Sequence, residues 1–100
     1  MVNYKFLSLK PADDNKYKYV VSLLNKETGR EKNIKFGAFG MNDYTITKND
    51  KAKENYIARH RVRENWDDPS TAGFWSKHVL WNLKTINGSL KDTIKNYNLK

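Results

Sequence analysis

One hundred residues make one domain with a necessarily modest core, and 38% hydrophobic with 13% aromatic residues is enough apolar content to support a fold. Nineteen basic residues against 11 acidic give a net charge of +8 and a pI near 9.7, the electrostatic footprint of a nucleic-acid binder. The lack of cysteine excludes disulfides and thiolate metal sites. No apolar run approaches the ~20 residues needed to span a bilayer, so no membrane partner is expected. The N-terminal MVNYKFLSLKPADD lacks the apolar core of a signal peptide, so the chain is expected to stay on the side where it is made.

Tyr4 to Leu9 partly alternates and predicts a short strand ending at Pro11. Asp13, Asp14 and Asn15 make a polar turn. Tyr17, Tyr19 and Val21 then alternate with Lys18, Val20 and Ser22, the period of a strand with one buried face. Asn25 to Arg30 reads as a hairpin connection, with Gly29 able to take positive φ. Ile34 and Phe36 continue the return strand. Gly37 to Tyr44 is a glycine-punctuated loop. It is either a tight exit from the strand or a loop whose backbone amides approach a phosphate or carboxylate. It lacks the Lys-Ser/Thr ending of a phosphate-binding P-loop.

Thr47 or Asn49 can cap a helix through DKAKENYIARHRVRE, residues 50–64, whose apolar stripe is thin and whose basic face is broad. The proline of Asn65–Ser70 ends it. Asp68 and Pro69 then suit the N-cap and first position of a second helix, Ser70 to Trp81, nearly apolar over much of its circumference. Gly73 within that helix costs ~1 kcal/mol relative to alanine, a cost that a close backbone crossing would justify. Ser89 to Asp92 has the form of a capping box that opens a final helix through Thr93, Ile94 and Tyr97.

Chemistry is sparse. His60 and His78 fall on different predicted helices without a supporting ligand pair, so no metal or other cofactor is expected. Ser76 and His78 are two apart on a helix and do not face each other. Asp67 and Asp68 are adjacent, but one is better used as a cap than in an acid–base pair. No enzyme is expected. Basic charge leans to the second half: residues 51–100 carry ten basic and five acidic groups, residues 1–50 nine and six. Arg59, Arg61 and Arg63 lie together there, and guanidinium forks match phosphate oxygens. The three tryptophans either fill the core or, for one of them, offer a stacking platform for unpaired bases. Trp66 is the expected exposed one and Trp75 and Trp81 the core ones.

The stretch KFGAFGMNDYT, YIARHRVRENWDDPSTAGFWSKHVLWN resembles a family of short, uncharacterised proteins encoded by giant double-stranded DNA viruses of eukaryotes. The resemblance covers about two-thirds of the chain. Phe36, Gly37, Gly40, Asp43 and Tyr44 match its first element (FGAxGxxDYT), and Tyr56, Arg59 and His60 its second. Glu64 to Asn82 matches its third, ENWxDPxTAGxxSxxxLWN. The chain departs from the pattern by inserting Leu83 to Gly88 ahead of Ser89. The resemblance implies a viral setting, in the virion or the infected host cell, and no activity.

The expected fold is α+β: an N-terminal antiparallel hairpin or three-stranded sheet packed against two or three short C-terminal helices. The expected function is non-enzymatic nucleic-acid binding, with DNA rather than RNA as partner. Phosphates would be contacted by Arg59, Arg61, Arg63, Lys51, Lys53 and Lys77, with Trp66 stacking. The alternative is a virion structural protein, a minor capsid or core component that meets other virion proteins. Particle stoichiometry would separate the two.

Overall fold

The computed structural model describes residues 3–100. Three antiparallel strands open the chain, β1 (Tyr4–Pro11), β2 (Tyr17–Asn25) and β3 (Glu31–Ala38), in the order β1-β2-β3. Both connections are built by side chains that accept backbone N–H groups two and three residues ahead. Asp14 Oδ1 takes Lys16 and Tyr17, and Asn25 Oδ1 takes Glu27 and Thr28. Tyr19 faces Phe36 and Val21 faces Ile34, while Phe6 faces Leu23 on the other side. Alternation therefore puts Phe6, Leu9, Val21, Leu23, Ile34 and Phe36 on one face. The register slips between Phe6 and Ser8, a bulge that leaves Leu7 exposed.

Gly37 to Tyr44 is a loop for most of its length and ends in one helical turn, α1 (Tyr44–Thr47). Asp43 caps that turn by accepting Thr45 N–H. It is buried and also receives Lys18 Nζ at 2.5 Å. The acid is thus a structural tie between the loop and β2. Gly37 has φ +78°, and a Cβ there would meet the Leu80 side chain at 2.7 Å, so it is a tight exit from β3 that only glycine fits.

Asn49, not Thr47, caps α2 (Asp50–His60), accepting Lys51 and Ala52 N–H. The helix stops four residues short of the expected Glu64. Continuing it would bury nothing, since Val62 is 82% exposed. Turning at His60, whose carbonyl accepts the N–H of both Arg63 and Glu64, brings Glu64 back beside His60 and Gly73.

The second expected helix starts later than its Asp-Pro signal. Asp68 Oδ1 is already taken by Ser70 N–H and Oγ–H in a tight turn, and Thr71 caps instead by accepting Phe74 N–H. Helix α3 (Ala72–Trp75) then continues into a π-helical turn, Ser76–Leu80. The wider turn is what lets His78, Val79 and Leu80 all face inward.

The final helix, α4 (Ile86–Asn96), begins before the expected capping box, with Thr85 as N-cap for Gly88 N–H. Starting there aligns Ile86, Leu90, Ile94 and Tyr97 against the core. Ser89 is consequently fully buried, where its Oγ accepts Leu83 N–H. The inserted Leu83–Gly88 stretch becomes the loop and first turn of this helix. The chain end returns to the sheet, with Leu99 buried and its carbonyl accepting Phe6 N–H at 2.6 Å.

The architecture is α+β, a three-stranded sheet followed by short helices. Trp75 is its centre, fully buried among Phe6, Phe36 and Phe74. Its Nε1–H donates to the Pro69 carbonyl at 2.7 Å. Trp81, expected in the core, is only half-buried at its rim, because its ring lies flat on Tyr56 rather than under the sheet.

His78 gives the fold a pH dependence. Its Nε2 lies 2.8 Å from the Trp66 carbonyl, which can only accept, so the neutral ring donates. Burial holds its pKa below the ordinary 6.5. The unfolded chain therefore binds the extra proton, and this stability is complete above about pH 6.5 and lost as pH falls through the folded value. The thermal midpoint is expected to drop as pH falls below about 6.5, and the drop should shrink in His78→Gln. An unchanged slope in that variant would assign it elsewhere.

Candidate nucleic-acid interface

Tyr56 is the only buried residue of α2, so most of the helix surface lies in water. Arg59 and His60 occupy its last turn, where positive charge complements the negative end of the helix dipole. Arg61 and Arg63 project from the turn beyond it. The expected single basic helix face is therefore an arginine cluster spread over a helix end and a turn. All three arginines are exposed. Among the described residues, ion pairs join Lys18 to Asp43, Lys35 to Asp14, Lys51 to Glu54 and His60 to Glu64. The three arginines take part in none of them.

The other expected contacts divide. Lys51 is exposed and sits 3.9 Å from Glu54 in a loose surface pair. Lys53 has an internal role: its Nζ donates to the Asn82 carbonyl at 2.6 Å and lies 5.0 Å from the Tyr44 ring centroid. It ties α2 to the loop after the π-turn. Lys77 is half-buried with its Nζ 5.4 Å from the Trp66 ring centroid. Burial, and then the nearby Lys53, pull its pKa down. Trp66 is half-buried, Lys77 covers one face of its ring, and its Nε1–H is buried with no acceptor among the described residues. The structure thus groups the arginines and gives Lys53 and Lys77 packing roles.

Beside Arg59 opens a cleft of about 520 Å³ between α2, the Ser76–Leu80 turn and the end of β3. Its α2 wall is a ladder of rings. His60 stacks on Tyr56 with centroids 4.3 Å apart, and Tyr56 on Trp81 at 4.6 Å and 5°. No hydrogen bond to the Tyr56 hydroxyl is found among the described residues, and the hydroxyl is not a sealed, unpartnered atom, so it opens to solvent. Burial, then the Glu64 charge, push its pKa up to about 12, further above the neutral range in which any tyrosine is already a protonated donor. A Cβ on Gly73 would overlap the Glu64 carboxylate, so what crosses this glycine is the end of a flexible side chain rather than backbone. Residues from four separate sequence segments meet here: Lys16 to Lys18, Phe36 to Asp43, Tyr56 to Glu64, and Ala72 to Trp81. Charge alone points to Arg59, whereas nothing in composition points to Tyr56, His60 and Glu64 as one group. Their regular spacing of four was the available signal.

Among the described residues, no three His, Asp or Glu side chains gather as metal ligands, and no helix is long and apolar enough to cross a membrane. No curated protein and no solved structure matches the chain. The profile of a family of unknown function, DUF5754, matches residues 7–60, from within β1 to the last residue of α2. That span is more than half of the chain and supplies the sheet and the α2 wall of the cleft, and the protein belongs to the DUF5754 family.

Proposed function

We propose that this protein binds nucleic acid without catalysing a reaction, contacting phosphates through Arg59, Arg61 and Arg63 with little sequence preference. The observation that carries the reading is the set of three exposed guanidinium groups, which join no ion pair among the described residues, in a domain of net charge +8. A guanidinium without a carboxylate partner keeps its five donors for bidentate phosphate contact. Phosphate contacts position a protein on DNA and carry no sequence information, hence the weak preference. The resemblance of the Lys35–Asn82 stretch to proteins of giant double-stranded DNA viruses favours DNA as partner, in the virion or the infected cell. Fluorescence anisotropy of labelled duplex DNA, single-stranded DNA and RNA at about 50 mM salt tests the reading. Saturable binding of DNA is expected, and absence of binding to all three would overturn it.

A further inference from the structure

We propose that the cleft beside α2 seats one unpaired nucleotide, its phosphate on Arg59 and its base among Tyr56, Glu64 and Leu80. The proposal rests on the nucleic-acid reading and deepens it: the arginine contacts stay blind to sequence, and the cleft adds a base preference for an unpaired strand. Size comes first. About 520 Å³ lies within the ~300–1,000 Å³ typical of small-ligand sites and suits one base with its sugar, not a stacked base pair. Phe36, Leu80 and Trp81 supply apolar lining, and one face of the Trp81 ring is taken by Tyr56.

Lys16 and the Lys18–Asp43 ion pair also line the cleft, and the polar groups beside α2 differ in kind. Arg59, on the cleft lining and in none of the ion pairs, is the cation for a phosphate. The Tyr56 hydroxyl is a donor without a partner among the described residues, protonated at neutral pH as a tyrosine ordinarily is. Glu64 is an acceptor whose carboxylate lies 3.7 Å from His60 Nδ1 and in the space that the absent Cβ of Gly73 leaves open. Its side chain keeps 29% exposure, so the carboxylate reaches the cleft without being sealed in the core. A carboxylate only accepts hydrogen bonds, and its natural partner on a base is an exocyclic amino group. Cytosine offers its N4 amino group to Glu64 and ring acceptors to Tyr56. Thymine has a carbonyl oxygen in place of that amino group, and a carbonyl repels the carboxylate. Cation, donor and acceptor around an apolar space thus complement an amino-bearing nucleotide.

The test compares labelled oligo(dC) and oligo(dT) of equal length, with free dCMP as competitor. Oligo(dC) is expected to bind on the order of tenfold more tightly, the worth of one hydrogen bond to a charged group. The preference should vanish in Glu64→Gln and shrink in Tyr56→Phe, which keeps the ring stack and serves if the first variant fails to fold. Competition by dCMP at the concentrations at which oligo(dC) itself competes assigns the cleft to free nucleotides. Weaker competition assigns it to a strand, and both support the nucleotide chemistry. Equal binding of both oligonucleotides, unaltered by either variant but weakened by removal of the arginines, would overturn the cleft proposal and leave the phosphate reading standing. No binding of any nucleic acid would overturn both.

Discussion

Trp75→Ala should leave the domain barely folded. The side chain is fully buried, packs against Phe6, Phe36 and Phe74, and joins the sheet to the segment before α3 through the Pro69 carbonyl. Truncating a buried tryptophan costs about 3–5 kcal/mol, because transfer energy is forfeited and a cavity is left behind. A domain of this size has roughly 5–10 kcal/mol in total. Trp81→Ala should cost less, since its ring is half-buried at the edge of the core and stacks on Tyr56. Trp66→Ala also removes a half-buried ring, but one whose Nε1–H lacks an acceptor among the described residues, a donor that burial penalises. Urea unfolding followed by circular dichroism ranks the three. Equal destabilisation would mean that the tryptophans act as one cluster, contrary to the separate settings described.

Replacing Arg59, Arg61 and Arg63 together by glutamine should abolish most binding and leave the thermal transition in place. All three are exposed and none is in an ion pair among the described residues, so their removal opens no cavity and orphans no buried charge. Each phosphate-binding guanidinium removed should lower the magnitude of the salt slope by about 1, applied evenly across sequences. Anisotropy gives the affinity and calorimetry the midpoint. If the variant loses its cooperative transition, the arginines are structural. If it folds and binds like the parent, the phosphates are met elsewhere. Lys53→Gln is the contrasting case: it breaks the bond to the Asn82 carbonyl that holds α2, so it should act on stability first.

The sheet was legible because its signals are local. Tyr17, Tyr19 and Val21 alternate, and Asn25 with Gly29 encodes the turn chemically, so strand and hairpin follow without knowledge of the rest. The helix starts were not, because several capping residues competed. Asp68 and Thr71 both suit an N-cap, as do Thr85 and Ser89, and tertiary packing chose Thr71 and Thr85 so that Leu80 and Ile86 could reach the core. The arginine cluster was visible as charge, yet its break into helix and turn depends on Glu64 folding back to Gly73, a contact that sequence spacing does not show. Lys53 and Lys77 illustrate the same limit from the other side. As letters they resemble Lys51, and only the fold gives them the Asn82 carbonyl and the Trp66 ring.

The most direct test of phosphate recognition is the salt dependence of binding to duplex DNA. Neutralising a handful of phosphates releases their condensed counterions, so the logarithm of the association constant should fall linearly with the logarithm of salt concentration. A slope of roughly −3 to −6 is expected for contacts by the arginine cluster and a few neighbouring lysines. A slope near zero, or no binding at the lowest salt, would contradict the assignment of Arg59, Arg61 and Arg63 to phosphates.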